Sequence, residues 1–401
     1  MPQLSYQTAG ESHGPALIII VNGLPARVLI DQVTIDAELS RRQGGYGRGG
    51  RQKIETDQVT FLTGVRLGHT FGAPITMQIV NKDSRLDDLV KTPPLHQPRP
   101  GHADLAGSIK WLTTDCRETL ERASARETAS RVAAGALVRS LLSEFGIEVV
   151  GFVRSVGPTH ASVPIVDEPM EASNATQSSQ IIKRLRELRD ADDLYCPDHQ
   201  ASVVMREFVR QMKENKDTAG GVVECHVFGC PIGLGSSMNG SDRLDGKLAA
   251  AVMSIQAFKG VEIGLGFETS RRPGSKVHDE IMFDASLRDT PLLGFFRPTN
   301  NAGGLEGGMT NGMPVVVRGA MKPISTLGKP LRSVDLNSRE PKQAGWERSD
   351  ISAISAASVV MENVIAFEIA KALLDKFGGD SLPETRQNYN QFLASARALP
   401  L

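Results

Sequence analysis

Five segments of this 401-residue chain combine residue types and spacings that suit chemistry on an anionic ligand. The first is Gly10-Glu11-Ser12-His13-Gly14, a histidine among small residues beside apolar β-rich sequence. A tight exposed turn of this kind can present a group that titrates near neutrality, which makes His13 a candidate general acid. Taken alone the pentapeptide reads more readily as an ordinary turn whose histidine has no role. The second segment, Arg41 to Lys53, carries five basic residues and no acid on a glycine-rich backbone. Backbone N–H groups and guanidinium forks in such a loop can wrap a phosphate or a carboxylate. It holds a formal G-x-G-x-x-G at Gly45, Gly47 and Gly50, but the dinucleotide reading needs a strand before it and a helix after it, and here that order is reversed.

The third segment, Arg99-Pro100-Gly101-His102-Ala103-Asp104, is a proline-stiffened loop in which His102 and Asp104 can form an oriented acid–base pair. In the fourth, Arg122 to Arg131, the spacing puts Arg122 and Arg126 on one helical face with small residues between them. The amino end of that helix adds a partial positive charge, while Glu127 and Arg131 also suit a plain solvated ion pair. The fifth joins Asn301–Gly308 to Met321–Thr326. Its glycines clear room for a planar group, or form simple hairpin turns, and Lys322, Ser325 and Thr326 offer donors to a phosphate. Arg348-Ser349-Asp350 directly precedes a helical pattern, where Asp350 reads as an N-cap.

Apolar patterning indicates the elements that must hold these groups. Ala16–Val21 and Arg27–Ile30 read as a hairpin through Asn22-Gly23-Leu24-Pro25, and Val59–Thr63, Ile75–Val80, Gly221–Phe228 and Val315–Val317 as further strands. Helices are expected at Asp36–Gln43, at Glu118–Phe145 with Gly146 as its stop, at Leu248–Phe258 and finally at Ile351–Phe377. The proline-rich stretch Thr92–Gly101 cannot be regular structure. Residues 155–200 are polar and charged, with one amphipathic stretch at Ile181–Leu188, and read as a peripheral insertion in a single domain spanning 1–401. The class is α+β, helices packed on antiparallel sheets.

A net charge of −1 removes any global attraction to nucleic acid or anionic membrane, so an anion site must be built locally from arginines. Cys116, Cys196, Cys225 and Cys230 form no Cys-x-x-Cys pair, and no zinc spacing appears. The amino terminus lacks a signal-peptide pattern and no apolar run is long enough to span a membrane, so a cytoplasmic protein is expected.

In their order along the chain, Gly10–Gly14, Arg42/Arg48, Arg99–Asp104, Arg122–Ala129, Ser254–Glu262, Ala302–Gly308, Lys322–Thr326 and Arg348–Asp350 resemble the chorismate synthase family over nearly the whole length. Two departures are Ala123, where many members carry serine, and Gln256, where others carry asparagine. The resemblance implies a β-α-β sandwich with central helices flanked by antiparallel sheets, assembled as a homotetramer. It implies an anti-1,4 elimination of phosphate from 5-enolpyruvylshikimate 3-phosphate, requiring reduced FMN, with NADPH as a candidate reductant. It further implies that flavin N5 accepts the C6 proton, that His13 protonates the departing phosphate, that His102 protonates the reduced flavin near N1, and that Asp350 relays the proton at N5. Arg122, Ala123, Ser124, Gln256, Ala257, Gly307, Lys322, Pro323, Ile324, Ser325, Thr326 and Arg348 would line the FMN, and Arg42, Arg48 and Arg131 would meet substrate or NADPH. Rival readings are a phosphate-ligand binding protein without chemistry, a conventional flavin oxidoreductase, and an RNA-binding protein, the last disfavoured by Tyr46 being the lone aromatic of the Gly/Arg loop.

Overall fold

The computed structural model describes residues 3–49, 56–167, 178–345 and 350–399. Strands β1 (Ser5–Ala9) and β2 (Ala16–Asn22) pair antiparallel across the turn that carries His13. Helix α1 (Gln32–Gln43) starts where the Asp31 carboxylate accepts the Val33 N–H, and β3 (Thr60–Thr63) and β4 (Ile75–Val80) complete a sheet ordered β1-β2-β4-β3. Alternation decides its inner face: Leu17, Ile19 and Val21 of β2 and Ile75, Met77 and Ile79 of β4 are buried, while their neighbours face outward.

Helices α2 (Asp104–Trp111), α3 (Arg117–Ala123) and α4 (Thr128–Ser143) follow. Beyond them lie β5 (Glu148–Val156), β6 (Thr159–His160), α5 (Ser178–Asp190), α6 (His199–Glu214), β7 (Gly221–Phe228) and α7 (Leu244–Met253). Strand β8 (Phe258–Ile263), the short hairpin β9 (Leu305–Glu306) and β10 (Met309–Thr310), and β11 (Val315–Met321) lead to α8 (Ile354–Phe377) and α9 (Leu382–Arg397). The second sheet is ordered β8-β11-β7-β5-β6, every pair antiparallel.

Between the two sheets lie the helices: α4 packs on β2 and on α8, and α8 packs on β5 and β7. This is the β-α-β sandwich. Most of the 24 residues of α8 are buried, which is why the helix is apolar nearly all round rather than along one stripe. Its crossing with α4 is close enough that a Cβ built at Gly135 would lie 2.1 Å from the Asn363 carbonyl oxygen. Glu362 breaks the apolar run, and its carboxylate takes Arg41 at 2.6 Å, Arg139 at 2.9 Å, Arg189 at 3.2 Å and the Gly151 N–H at 3.0 Å. Helices α1, α4, α5, α8 and strand β5 thus meet on one buried charge. No helix among the described residues is long and apolar enough to cross a membrane.

Several expected elements differ. Arg27–Ile30 does not form a hairpin with β2. Arg27 adopts φ +69, and the segment instead bonds to Thr70, whose carbonyl accepts the Arg27 N–H at 2.8 Å and whose hydroxyl accepts the Val28 N–H at 3.0 Å. The helix expected over Glu118–Phe145 is broken at Ser124, extended at ψ 145, and resumes through a single 3-10 turn at Ala125–Glu127. Leu248–Phe258 is not one helix: α7 starts earlier and ends at Met253, and Ala257, at φ +71, turns the chain into β8. The last long helix begins at Ile354, and a further helix, α9, follows it, started by a capping box of Ser381 and Glu384. Within 155–200, Ile182 and Leu185 of α5 are buried against β5.

Candidate active site

His13 is buried rather than held in an exposed turn, because α3 reaches over it. Its ring Nδ1 lies 2.8 and 3.0 Å from the two oxygens of Glu121, and its backbone N–H donates to Oε2 of the same carboxylate at 2.8 Å. Burial would raise the pKa of Glu121, but the hydrogen bonds and charge of His13, with the charge of Arg117, lower it, so the carboxylate is ionised. On the other side of the ring, Arg85 Nη2 is 3.3 Å and Asp83 Oδ2 is 3.7 Å from Nε2.

The turn that carries His13 is fastened from below. Asn81 donates to the carbonyls of Glu11 at 3.1 Å and Gly14 at 2.8 Å, and its own oxygen accepts from Arg126 Nε at 2.8 Å. Arg126 bonds both Asp57 oxygens at 2.7 Å, and Arg42 stands 3.5 Å from the same carboxylate. Arg42 is also committed to Thr128 and to the Ala125 carbonyl, so its guanidinium faces the protein. Burial lowers the Arg42 pKa, with Asp57 raising it and Arg126 lowering it, to about 10.

The break at Ser124 separates Arg122 from Arg126, which therefore do not share a face. Arg122 is exposed and binds the carbonyls of Thr8 at 2.8 Å and Gly10 at 3.0 Å, whereas Arg126 is buried. Ser124 donates to Ser12 at 3.2 Å. Glu127 then gathers Thr8 at 2.8 Å, Arg131 at 2.9 Å and Gln256 at 2.9 Å, and Arg131 reaches Ser254 at 2.7 Å. That one carboxylate joins the Arg122–Arg131 segment to Gln256 and to strand β1.

The Arg99–Asp104 loop forms a second histidine–carboxylate pair. Asp104 is fully buried, with one oxygen on His102 Nδ1 and the other on Arg99 Nε at 2.8 Å. Burial opposes its ionisation, but the bonds from His102 and Arg99 hold its carboxyl well below the usual carboxylate range. Arg99 also donates to Thr326 at 3.0 Å, and a Cβ built at Gly101 would sit 3.8 Å from Lys322 Nζ, so this loop faces the Lys322–Thr326 segment. Lys322 in turn donates its N–H to the Ala257 carbonyl at 2.9 Å, next to Gln256. A ring of segments therefore runs from His13 through Glu127 and Gln256 to Lys322 and His102. Helices α2 and α3 close it, packed so tightly that a Cβ at Gly107 would fall 2.2 Å from Thr119 Oγ1.

Asp350 does not cap α8, whose N-cap is Ala353. It is pinned by Arg48 at 2.6 Å and by the Gly49 N–H at 2.5 Å, beside Arg42. Gly307 stands apart: its hairpin packs at the start of α7, whose ten residues, roughly 15 Å of helix, separate it from Gln256. Arg348 lies outside the described residues. The Glu127–Arg131 ion pair read from the helical spacing is present, at 2.9 Å. Glu121, Asp57, Asn81 and Arg85 had no signal in the sequence beyond ordinary polar residues, because the partners that matter at the site are remote along the chain.

Two features fit the flavin mononucleotide that the family resemblance implies. Gln256 Oε1 is buried with no hydrogen-bond partner among the described residues, an acceptor suited to a donor such as a heterocycle N–H or a ribityl hydroxyl. Lys322 is half-buried and faces no carboxylate among the described residues. Burial and the neighbouring Lys259 both lower its pKa, so a phosphate there would relieve an unbalanced cation.

Fold and site together define an enzyme that performs acid–base chemistry on an anionic substrate. A family model described as chorismate synthase matches residues 4–374. Chorismate synthases of Geobacter metallireducens and Desulforamulus reducens are 52% and 51% identical to this chain, covering 98% and 97% of it and 100% and 98% of their own lengths. A crystal structure of chorismate synthase superposes with a TM-score of 0.78 at 38% identity, over 100% of both chains. The chain belongs to the chorismate synthase family. Its activity is that of the family, a carbon–oxygen lyase of aromatic biosynthesis acting on enolpyruvylshikimate phosphate, with the flavin requirement general to such enzymes.

Proposed function

We propose that the chain eliminates phosphate from 5-enolpyruvylshikimate 3-phosphate in the anti-1,4 sense, with reduced FMN bound in the ring of segments described above. The C6–H and C3–O bonds break, a second ring double bond forms, and phosphate leaves with the C3 oxygen. The observation that carries this reading is the pair of histidines, each with Nδ1 on a buried carboxylate, one carboxylate in α3 and the other at the start of α2. Such pairing orients an imidazole and leaves Nε2 for the reacting proton.

His13 holds a proton for the oxygen of the departing phosphate. Arg48 and Arg131, with Arg42 behind them, counter the phosphate and carboxylate charges; at an effective dielectric of about 20 each close pair is worth roughly 4 kcal/mol before desolvation. Arg122, Ala123, Ser124, Gln256, Ala257, Lys322, Pro323, Ile324, Ser325 and Thr326 would hold FMN, with Gly307 and Arg348 assigned by the family pattern. When bound, the reduced flavin supplies transient electron density to the allylic system and a base for the C6 proton. His102, oriented by Asp104, would protonate the reduced flavin near N1, and Asp350, oriented by its bond to Arg48, would relay the proton at N5. The family pattern also supports a cytoplasmic homotetramer and NADPH as the reductant of the flavin.

Replacing His13 or His102 by alanine tests this directly. Removing a positioned proton donor costs about 10²–10⁴ in rate. Turnover should fall by that order while enolpyruvylshikimate phosphate still binds. Turnover within a few-fold of the parent enzyme in both variants would rule out the two-histidine scheme.

A further inference from the structure

We propose that Glu121 is a positioning residue for the elimination: it fixes the His13 ring in the tautomer with hydrogen on Nδ1, so that proton exchange with the leaving phosphate takes place at Nε2. The inference rests on His13 being the acid for that phosphate. Glu121 holds the histidine at several points at once. Its oxygens lie 2.8 and 3.0 Å from Nδ1, Oε2 accepts the His13 N–H at 2.8 Å, and its carbonyl accepts the Ser12 N–H at 3.1 Å. A carboxylate only accepts, so the ring nitrogen against it must carry a hydrogen. The side chain has no exposure to water and is steadied by Arg117, 3.8 Å away, and by the tight Gly107–Thr119 packing of α2 on α3. Nε2 is the edge away from Glu121, where Arg85 Nη2 lies 3.3 Å away and Asp83 Oδ2 3.7 Å away. The guanidinium can only donate, an arrangement that also suits a bare Nε2 in the neutral ring.

Glu121→Gln is nearly isosteric and changes one thing. An amide can accept from Nδ1–H through its oxygen, or donate to a bare Nδ1 through its nitrogen, so both tautomers gain a partner and selection is lost. In ¹⁵N-histidine-labelled enzyme, with the His13 resonances assigned by difference from His13→Ala, the parent protein should show protonated Nδ1 and bare Nε2 for the neutral ring. Glu121→Gln should show a mixture or the reverse. Its kcat should fall by up to about 10⁴-fold, the loss expected when a histidine is held in the wrong tautomer, with KM and FMN affinity within about a factor of two. Glu121→Asp, which keeps the charge, should restore the parent tautomer and part of the rate.

Bare Nδ1 in the parent enzyme overturns the proposal without any variant. Parent-like tautomer and kcat in Glu121→Gln overturn it as well. The resonances are read without substrate, so they judge Glu121 separately from the elimination. Parent-like turnover in His13→Ala would instead defeat the acid reading on which the proposal rests.

Discussion

Replacing Asp57 by asparagine should damage this enzyme more than any exposed charge change, and the size of the effect can be worked from the contacts. Asp57 is the anion between two buried guanidiniums, bonding Arg126 twice at 2.7 Å and facing Arg42 at 3.5 Å. At an effective dielectric of about 20, each contact is worth roughly 5 kcal/mol before desolvation. Breaking a buried pair by removing one partner costs about 3–5 kcal/mol, because the stranded charge stays buried. Arg42 and Arg126 would then repel each other across a site with no carboxylate between them. For 401 residues the unfolding entropy is on the order of 0.8 kcal/mol/K, so a loss of about 4 kcal/mol lowers the melting temperature by about 5 °C. Turnover should fall too, since Arg126 fastens Asn81 and Asn81 holds the His13 turn. Scanning calorimetry on Asp57→Asn and on Asp57→Asn with Arg42→Gln checks the reasoning, because deleting one stranded cation should return part of the stability. A single-variant shift below about 1 °C, or a double variant that loses the full sum of two single losses, would refute it.

Lys322→Gln should weaken FMN binding by about 10- to 100-fold in a fluorescence titration, the equivalent of losing one charge-assisted hydrogen bond of about 1.5–3 kcal/mol; unchanged affinity would remove Lys322 from the flavin site. Acid should unfold the protein through Glu38 and Glu224. Burial opposes their ionisation, but Arg41 and Arg139 beside Glu38, and His226, Arg154 and Arg318 beside Glu224, hold both carboxyls at about 2 against an ordinary 4.5. Their folded pKa values are depressed, so the stability they add is present above about pH 4.5 and is lost as pH falls toward 2. Urea unfolding between pH 5 and pH 3 should show that slope, and Glu38→Gln should flatten it; an equal slope in the variant would contradict the assignment. Gly135→Ala should abolish soluble expression or lower stability by about 3 kcal/mol or more, because its Cβ would meet the Asn363 carbonyl at 2.1 Å; a variant melting with the parent would show that α4 and α8 can move apart.

Local motifs were legible in the sequence, and their partners were not. The Arg99–Asp104 loop contains both members of its histidine–carboxylate pair two residues apart, so the expected pairing of His102 with Asp104 stands in the structure. His13 has its carboxylate 108 residues away, and nothing in Arg117–Ala123 distinguishes Glu121 from a solvated helical glutamate. Asp57 and Asn81 are invisible for the same reason. The helix break at Ser124 was hidden because alanine, arginine and glutamate around it all favour helix. It exists because Ser124 leaves the helix to cap the next turn and to meet Ser12. At Asp350 local capping chemistry suggested one partner, and Arg48, 302 residues away, takes it instead. The strands fared better where period-two burial is strict, as in Ile75–Val80, than at Arg27–Ile30, where an unusual backbone angle at Arg27 redirected the chain. The resemblance to a family supplied the layered architecture that propensity alone left at helices on antiparallel sheets.

The central claim is tested most directly by anaerobic phosphate release from 5-enolpyruvylshikimate 3-phosphate with photoreduced FMN. Phosphate and chorismate should appear in stoichiometric amounts with reduced FMN, and neither with oxidised FMN alone. Substrate that binds but releases no phosphate under reducing conditions would contradict it and leave a binding protein without the chemistry.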